Sequence, residues 1–421
     1  MTGAPRHNRK RIAILGAGPI GLEAALYARE LGHEPIVYER GDVGENVMRW
    51  GFVRLFSPWT MNVSSLGLEA VRRAGVQPPD REGFPTGHEL ADGYLRPIAL
   101  FLGASVETKV EVLGVSRMRF LKGDDVGGKI RAALPFRILL RRGRKEEEAS
   151  ADILIDSTGV YATPCALGDG GLPAVGEALL GASIDYHLVN LEGPPRGKFA
   201  GKTILLVGSG FSAATSLDSL QRLQHEETAT RVVWARHSGA PEPFPLHAND
   251  PLPERERLSR EGNLLAVNPP HWLRTLSGVS VVALSSDGGR LKVELRRGVR
   301  EKHPEAVTVD RIIANVGYRP DLGIHRELQV HHCYASEGPM AMAAALLGAG
   351  AKGDCLESPA LGPETLRCPE PGFFIVGHKS YGRRSDFLLR TGHEQVRDVF
   401  RLIEGDSKLD LHAPGPSKTG R

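Results

Sequence analysis

Two glycine-rich segments carry the residue types and spacings that point most directly to chemistry. The first, Gly16–Gly21, lies between the apolar stretch Arg11–Leu15 and a helical pattern that ends at Gly32. In such a strand–loop–helix unit the glycines let the backbone and the helix N-terminus approach a pyrophosphate. The next apolar stretch ends at Glu39, whose carboxylate suits ribose hydroxyls and would repel a 2′-phosphate. The unit therefore predicts a dinucleotide site on Gly16, Gly18, Pro19, Ile20, Gly21 and Glu39.

The second glycine-rich segment repeats this arrangement with one change of charge. Gly208–Ala213 follows the apolar stretch Thr203–Val207, and a helical pattern follows in turn. At the end of the next strand, Arg236 stands where Glu39 stands in the first unit. Because a guanidinium forms bidentate hydrogen bonds with phosphate, this site is predicted to prefer NADP over NAD. Its predicted binding residues are Gly208, Gly210, Phe211, Ser212 and Arg236.

The duplication extends to the elements that must position these loops. A strand-rich stretch, Ala104–Leu140, is followed by a charged turn at Arg141–Glu148 and then by the apolar segment Ala151–Gly159. In the same way Val279–Arg296 precedes Val309–Asp321. The sequence therefore predicts two nucleotide-binding units in series, each with a parallel sheet, a crossover helix and a small antiparallel meander.

This layout resembles the two-dinucleotide-binding-domain flavoproteins, over about residues 11–160 and 200–405. That family includes the flavin-containing and N-hydroxylating monooxygenases and the thioredoxin-reductase group. The resemblance implies FAD in the first unit and NADPH in the second. It implies an α/β fold of two Rossmann-like three-layer domains, with the NADP-binding domain inserted into a discontinuous FAD-binding domain. The expected boundaries are 1–165 and 322–405 for the FAD-binding domain, 166–321 for the NADP-binding domain, and 406–421 for a disordered tail.

The resemblance also implies further cofactor residues. Ser157–Gly159 and Asn315–Tyr318 look like the motifs at which the family's chains cross between domains. Phe373–Gly377 corresponds to a strand that returns to the flavin, and Ser385–Val396 begins a helix whose N-terminus faces the flavin's pyrimidine edge. The acid that relatives carry after the C-terminal glycine is replaced by His378, and either Asp386 or the backbone alone takes over its role. The implied residues are Arg40, Asn46, Trp50, Arg54, Thr158, Gly159, Gly317, Gly377, Asp386, Phe387 and Leu388.

The electron acceptor is the open question at this stage. The four cysteines form no Cys-x-x-Cys pair, which a dithiol route of the usual local kind requires. Either oxygen forms a flavin C4a-hydroperoxide that oxygenates a small organic substrate, or a quinone-like acceptor is reduced; a non-enzymatic redox sensor is a third alternative. We favour the monooxygenase. The candidate catalytic residues are His187, Trp50 and Asp386, and the aromatic segment Arg49–Trp59 is either a flat pocket or a core-packing loop.

The composition limits the classes of molecule that the protein is expected to bind. Lys and Arg total 53 against 50 Asp and Glu, so no charge surplus favours nucleic acid or a membrane surface. The longest apolar run, Gly338–Ala351, is too short to span a bilayer, and four dispersed cysteines favour a reducing cytoplasm. His331–Cys333 lacks a second ligand pair, so we expect no metal. The expected partners are a small-molecule substrate and molecular oxygen, and self-association stays open.

Overall fold

The computed structural model describes residues 9–80, 82–298, 303–348, 356 and 361–413. The chain divides into two compact units. Within the described residues, unit 1 consists of the segments up to Thr163 and from Arg319 onward, and unit 2 consists of Pro164–Tyr318. None of the helices in this part of the chain combines the length and the apolar character needed to cross a bilayer.

The strands of the described residues alternate with helices in the first part of each unit and form meanders later. In chain order they are β1 (Arg11–Leu15), β2 (Glu34–Glu39), β3 (Val106–Thr108), β4 (Val110–Arg117), β5 (Phe136–Arg142), β6 (Lys145–Ala151), β7 (Ile153–Asp156), β8 (Ile184–Asp185), β9 (Thr203–Val207), β10 (Arg231–Arg236), β11 (Leu273–Ser277), β12 (Val279–Asp287), β13 (Arg290–Arg297), β14 (Glu305–Val309), β15 (Arg311–Ala314) and β16 (Phe373–Ile375).

The α-helices are concentrated in unit 1. In chain order they are α1 (Pro19–Glu30), α2 (Glu45–Arg49), α3 (Trp59–Asn62), α4 (Ser65–Arg73), α5 (Gly87–Leu90), α6 (Arg96–Leu102), α7 (Lys129–Ala133), α8 (Phe211–Glu226), α9 (Pro253–Val267), α10 (Met340–Gly348) and α11 (Leu389–Glu404). A π-helical turn, Ala91–Leu95, joins α5 to α6.

Unit 1 is built in three layers around a parallel sheet with the strand order β16-β7-β1-β2-β3. Side chains of β1 alternate between the two faces, as the two-residue period of a strand requires. Ile12 and Ile14 enter the core formed with α1, α4, α6 and α11. Ala13 and Leu15 enter the core formed with the antiparallel meander β4-β5-β6. The sheet is therefore covered by helices on one face and by the meander on the other.

Unit 2 repeats this arrangement with the strand order β11-β10-β9-β15-β8 and the meander β12-β13-β14. The central pairing is equivalent in both units, with Leu15 beside Tyr38 in unit 1 and Val207 beside Ala235 in unit 2 at the carboxyl ends. The edge strand differs in origin, because β16 follows the rest of its sheet in sequence whereas β8 precedes it. The predicted fold class, two Rossmann-like three-layer domains with the second inserted into the first, is confirmed.

Two sequence predictions need correction. The charged segment Arg141–Glu148 is mostly strand: β5 continues to Arg142 and β6 begins at Lys145, because the arginines of β5 form ion pairs with glutamates of the neighbouring strands, Arg141 with Glu111 and Arg142 with Glu147. The start of the expected disordered tail is packed. Leu411 N–H donates to the Tyr27 hydroxyl at 2.7 Å, and His412 pairs with buried Glu23 at 2.7 Å. Residues 414–421 of that tail, and 349–351 of the apolar run, lie outside the described residues.

Candidate functional site

The glycine loop of unit 1 places the N-terminus of α1 beside the carboxyl end of β1. A Cβ on Gly21 would lie 1.9 Å from the carbonyl oxygen of Gly16, so only glycine allows the helix to approach the loop this closely. A Cβ on Gly18 would meet no atom within 4 Å, which leaves an open approach to the backbone. Ile20 packs against Gly377 and Gly392, and thereby joins the loop to the C-terminal strand and helix. The loop can therefore receive a phosphate on its open side.

Glu39 is fixed at the end of β2 by two backbone donors. Its Oε2 accepts from Ala17 N–H and its Oε1 accepts from Gly41 N–H, both at 2.8 Å. A carboxylate has about four acceptor positions, so each oxygen keeps capacity for a ligand hydroxyl. The side chain is half-buried and anchored to the glycine loop itself. This geometry suits the ribose of a dinucleotide.

A cavity of about 680 Å³ lies along this edge of unit 1. Its volume falls within the usual range of about 300–1,000 Å³ for small-molecule sites. The walls come from the glycine loop, the end of β2, the meander and the segments before Thr163 and after Asp321. The predicted residues that it brings together are Gly16, Glu39, Arg40, Asn46, Thr158 and Gly159.

Other predicted residues of unit 1 lie outside this cavity lining. Arg54 is exposed and donates to the Phe84 carbonyl. Asp386 forms an ion pair with Arg384, and Phe387 stacks on His378 with ring centroids 5.7 Å apart. Leu388 is the N-cap residue of α11.

Residues of the aromatic segment Arg49–Trp59 differ in whether they fit the core-packing loop or the flat pocket. Trp59 is buried at 7% exposure and belongs to the helical core of unit 1, which is the packing alternative. Trp50, Phe52 and Phe56 are only partly buried. A Cβ on Gly87 would lie 2.8 Å from the Trp50 ring, so this ring is held against the start of α5.

A cluster of titratable side chains below the end of β7 was missed by the sequence analysis. Asp156 is fully buried and its Oδ2 accepts from Lys379 Nζ at 2.7 Å. His325 Nδ1 lies 3.2 Å from the same oxygen, and His325 Nε2 lies 3.1 Å from His332 Nε2. Thr158 donates through its hydroxyl to Asp156 Oδ1 at 2.7 Å. An acid that ends an otherwise apolar strand was the available signal.

The glycine loop of unit 2 has the same geometry at the start of α8, whose first residues are Phe211 and Ser212. Gly208 has a φ of +136°, and a Cβ there would lie 2.3 Å from the Asn315 carbonyl oxygen. A Cβ on Gly210 would meet nothing within 4 Å. The open approach that unit 1 offers at Gly18 is therefore repeated.

The strand ends beside this second loop carry two polar side chains that each have one nitrogen without a hydrogen-bond partner among the described residues. Arg236 is buried at 3% exposure above the Trp234 ring. Its Nη1 donates to the Ala240 carbonyl at 2.9 Å, whereas its Nε has no partner, and burial lowers the pKa of the guanidinium. Asn315 accepts from the Ser216 hydroxyl through Oδ1 at 2.7 Å, but its Nδ2 is orphaned. The sequence analysis named Asn315 only as part of a motif and did not identify its amide as a site group.

His187 and Gly317 lie at the same end of unit 2. The His187 ring stacks on Tyr318 with centroids 5.7 Å apart, and its Nδ1 lies 3.2 Å from the Tyr318 hydroxyl. Gly317 has a φ of +85° and accepts from Cys165 N–H at 2.9 Å. Within the described residues, no group of three His, Cys, Asp or Glu side chains is arranged to hold a metal ion.

The layers, the glycine loops and the duplicated sheets define the fold of the two-dinucleotide-binding-domain flavoproteins. A bacillithiol disulfide reductase from Bacillus cereus shares this fold with a TM-score of 0.63 and 16% identity, over 94% of this chain and 99% of the other. An ornithine N-hydroxylase from Kutzneria sp. 744 gives 0.58 and 15%, over 94% and 100%. A thioredoxin reductase from T. acidophilum gives 0.57 and 14%, over 94% and 99%.

No protein-family model matches the sequence, and no curated protein matches it significantly. At 14–16% identity, the structural likeness establishes the fold.

Proposed function

We propose that the protein is an FAD-dependent, NADPH-using oxidoreductase, and most specifically a monooxygenase of a small organic substrate. The observation that carries the proposal is the pair of opposite specificity residues at equivalent strand ends. Unit 1 ends β2 with an anchored carboxylate, Glu39, and unit 2 ends β10 with an uncompensated guanidinium, Arg236. The former suits a ribose and the latter suits a 2′-phosphate.

The residues of unit 1 fit the adenosine and pyrophosphate parts of FAD. Glu39 would hold the ribose, the α1 N-terminus would face the pyrophosphate, and Arg40 and Asn46 line the cavity beside them. FAD, when bound, supplies the chemistry of accepting a hydride and passing the electrons onward. The protein contributes binding, orientation and charge. Trp50, Arg54, Gly377, Asp386, Phe387 and Leu388 remain proposed contacts of the rest of the cofactor.

The residues of unit 2 fit NADPH. A buried cation without a carboxylate partner is costly, and an incoming phosphate would supply the missing anion to Arg236. The orphaned Nδ2 of Asn315 lies beside the glycine loop and can donate to the dinucleotide. His187 is our proposed proton-transfer group, because its imidazole stacks on the Tyr318 ring with Nδ1 3.2 Å from the Tyr318 hydroxyl, and histidine is a common proton-transfer side chain.

The choice of oxygen as the electron acceptor follows from the cysteines. No Cys-x-x-Cys motif exists in the sequence, and Cys333 and Cys368 are free thiols. Cys355 lies outside the described residues. A second candidate is an NADPH-dependent reductase with a quinone-like or disulfide acceptor. It is favoured by the likeness to a bacillithiol disulfide reductase, whose TM-score of 0.63 exceeds the 0.58 of the ornithine N-hydroxylase.

A rapid-mixing experiment tests both parts of the proposal. The purified protein is examined for the FAD spectrum, reduced by NADPH without air, and mixed with oxygenated buffer. We expect a yellow protein, full reduction by NADPH, and reoxidation in two resolved absorbance phases. Reoxidation in a single phase, both without and with candidate substrates, together with turnover of quinones under nitrogen, would establish the reductase instead. A protein that binds no FAD would overturn the proposal altogether.

A further inference from the structure

The position in unit 2 that corresponds to Asp156 carries no charge. In unit 1, Asp156 lies beside Leu15 at the carboxyl end of the sheet; in unit 2 the residue in the same register, beside Val207, is Ala314. Ala314 is fully buried among apolar side chains. The duplicated fold is therefore complete without a charge at this position.

Burial of the ion pair Asp156–Lys379 costs desolvation free energy, so its presence calls for a functional explanation. Asp156 and Lys379 are both buried, at 0% and 1% exposure, and the two ions must lose their hydration. Burial alone would raise the pKa of Asp156, but the charge of Lys379 and the hydrogen bond of His325 hold that pKa below its usual value. The carboxyl group is therefore ionised at neutral pH. An apolar pair of similar volume would stabilise the fold at least as well.

Thr158 connects the ion pair to the wall of the cavity by hydrogen bonds. Lys379 Nζ donates to the Thr158 hydroxyl at 3.0 Å, and Thr158 donates to Asp156 Oδ1 through its N–H at 3.1 Å and its hydroxyl at 2.7 Å. Thr158 and Gly159 line the cavity that also contains Gly16 and Glu39. A charge on the pair therefore acts directly behind the surface that a dinucleotide would occupy.

We propose that Lys379 is a positioning residue for the dinucleotide of unit 1: it cancels the charge of Asp156 behind the cavity and, through Thr158, fixes the turn that lines it. A pyrophosphate brings two negative charges to this edge, and an uncompensated Asp156 would repel them. The inference rests on the proposed function, because the dinucleotide is taken to be FAD. His325 Nδ1 completes the hydrogen bonding of Asp156 Oδ2, and the other ring nitrogen of His325 lies beside His332 Nε2.

Three variants separate electrostatic positioning from a purely structural role. Lys379→Met leaves one negative charge, Asp156→Asn leaves one positive charge, and the double variant leaves none. FAD dissociation constants are measured by titrating the flavin-free protein with FAD. At about pH 8 we expect Lys379→Met to weaken binding by at least about tenfold, with the other two within about threefold of the parent. Lys129→Met, which removes an exposed lysine of the same unit, is the matched control.

The FAD affinity of Lys379→Met, measured as a function of pH, gives a second readout. It remains informative even if the variant is partly destabilised. Without the lysine, burial will raise the pKa of Asp156, which is then faced only by His325 and the Thr158 donors. Protonation removes the repulsion, so FAD affinity in this variant should rise as the pH falls from about 8 to about 6. The double variant, which has no titrating carboxyl group, should show no such rise.

The outcomes distinguish this inference from the proposed function. Equal losses in the two single variants, with no pH dependence in Lys379→Met, would assign the pair a structural role and overturn the inference while FAD binding stands. Unchanged affinity in all three variants would overturn it as well. Failure of the parent protein to bind FAD would overturn the proposed function itself. If Lys379→Met does not fold, Asp156→Asn and the double variant still test the inference. Neither variant has an uncompensated negative charge, so a loss of FAD affinity of about tenfold in either would contradict it.

Discussion

The sheet edges at the two glycine loops have the same backbone geometry and differ in the charges of their side chains. Both have a glycine loop with open space at the second glycine and a helix N-terminus behind it. Unit 1 adds a carboxylate, Glu39, and a neutralised buried pair, Lys379 and Asp156. Unit 2 adds a buried guanidinium, Arg236, over an apolar core. Under the proposed function, the comparison teaches that the glycine loops bind phosphate in both units, while a few side chains at the strand ends select the nucleotide.

The largest expected effect comes from blocking one loop at a time. Gly21→Val would force a side chain into the Gly16 carbonyl oxygen and displace the start of α1. We expect FAD affinity to fall more than about 100-fold, giving a colourless protein. Gly208→Val should give a protein that is still yellow but is no longer reduced by NADPH. Absorbance spectra and anaerobic NADPH titrations measure both.

An exposed glycine provides the control for these two variants. Gly123 lies in a loop where a Cβ would meet no atom within 4 Å, so Gly123→Ala should leave both cofactors unaffected. The division of roles between the units would be wrong if Gly208→Val lost its flavin while Gly21→Val kept it.

The parts of the site that follow from local sequence could be predicted, and the parts that depend on distant segments could not. The loops, β1, β9 and Glu39 follow from short-range patterns of glycine and apolar residues. Lys379 lies 223 residues from Asp156, and only the sheet order, with β16 beside β7, brings them together. The orientation of Arg236 could not be predicted either, because the last residue of a strand can point to either face.

The second comparison concerns nucleotide choice in unit 2. Removing the guanidinium by Arg236→Ala should weaken NADPH binding by about 30-fold and NADH binding by no more than about threefold, since charge-assisted hydrogen bonds to the 2′-phosphate are lost. Dissociation constants for both nucleotides, measured on the oxidised protein, test this. Arg231→Ala, at the opposite end of β10, is the matched control. Equal losses for NADPH and NADH would remove Arg236 from the specificity site.

The smallest expected effect is a loss of stability at low pH that should affect the sheet of unit 1 and not that of unit 2. Burial lowers the pKa of His332 to about 4, and the ring also faces His325, Lys379 and Lys122. An unfolded histidine has an ordinary pKa near 6.5, so between about pH 6.5 and 4 the unfolded chain takes up a proton that the folded chain refuses. The free energy of unfolding therefore decreases as the pH falls. The decrease is about 2 kcal/mol, which is less than the full pKa shift would give, because solvent screens the partly exposed ring.

Hydrogen exchange resolves this loss by region. Peptides from β7 of unit 1 should lose protection between about pH 6.5 and 4.5 beyond the intrinsic pH dependence of exchange, whereas peptides from β15 of unit 2, whose equivalent position is Ala314, should not. His332→Asn removes the titrating ring and should make the two units respond alike. If both units lose protection in parallel, and His332→Asn changes nothing, the acid response belongs to the whole chain and not to the charged cluster beneath β7.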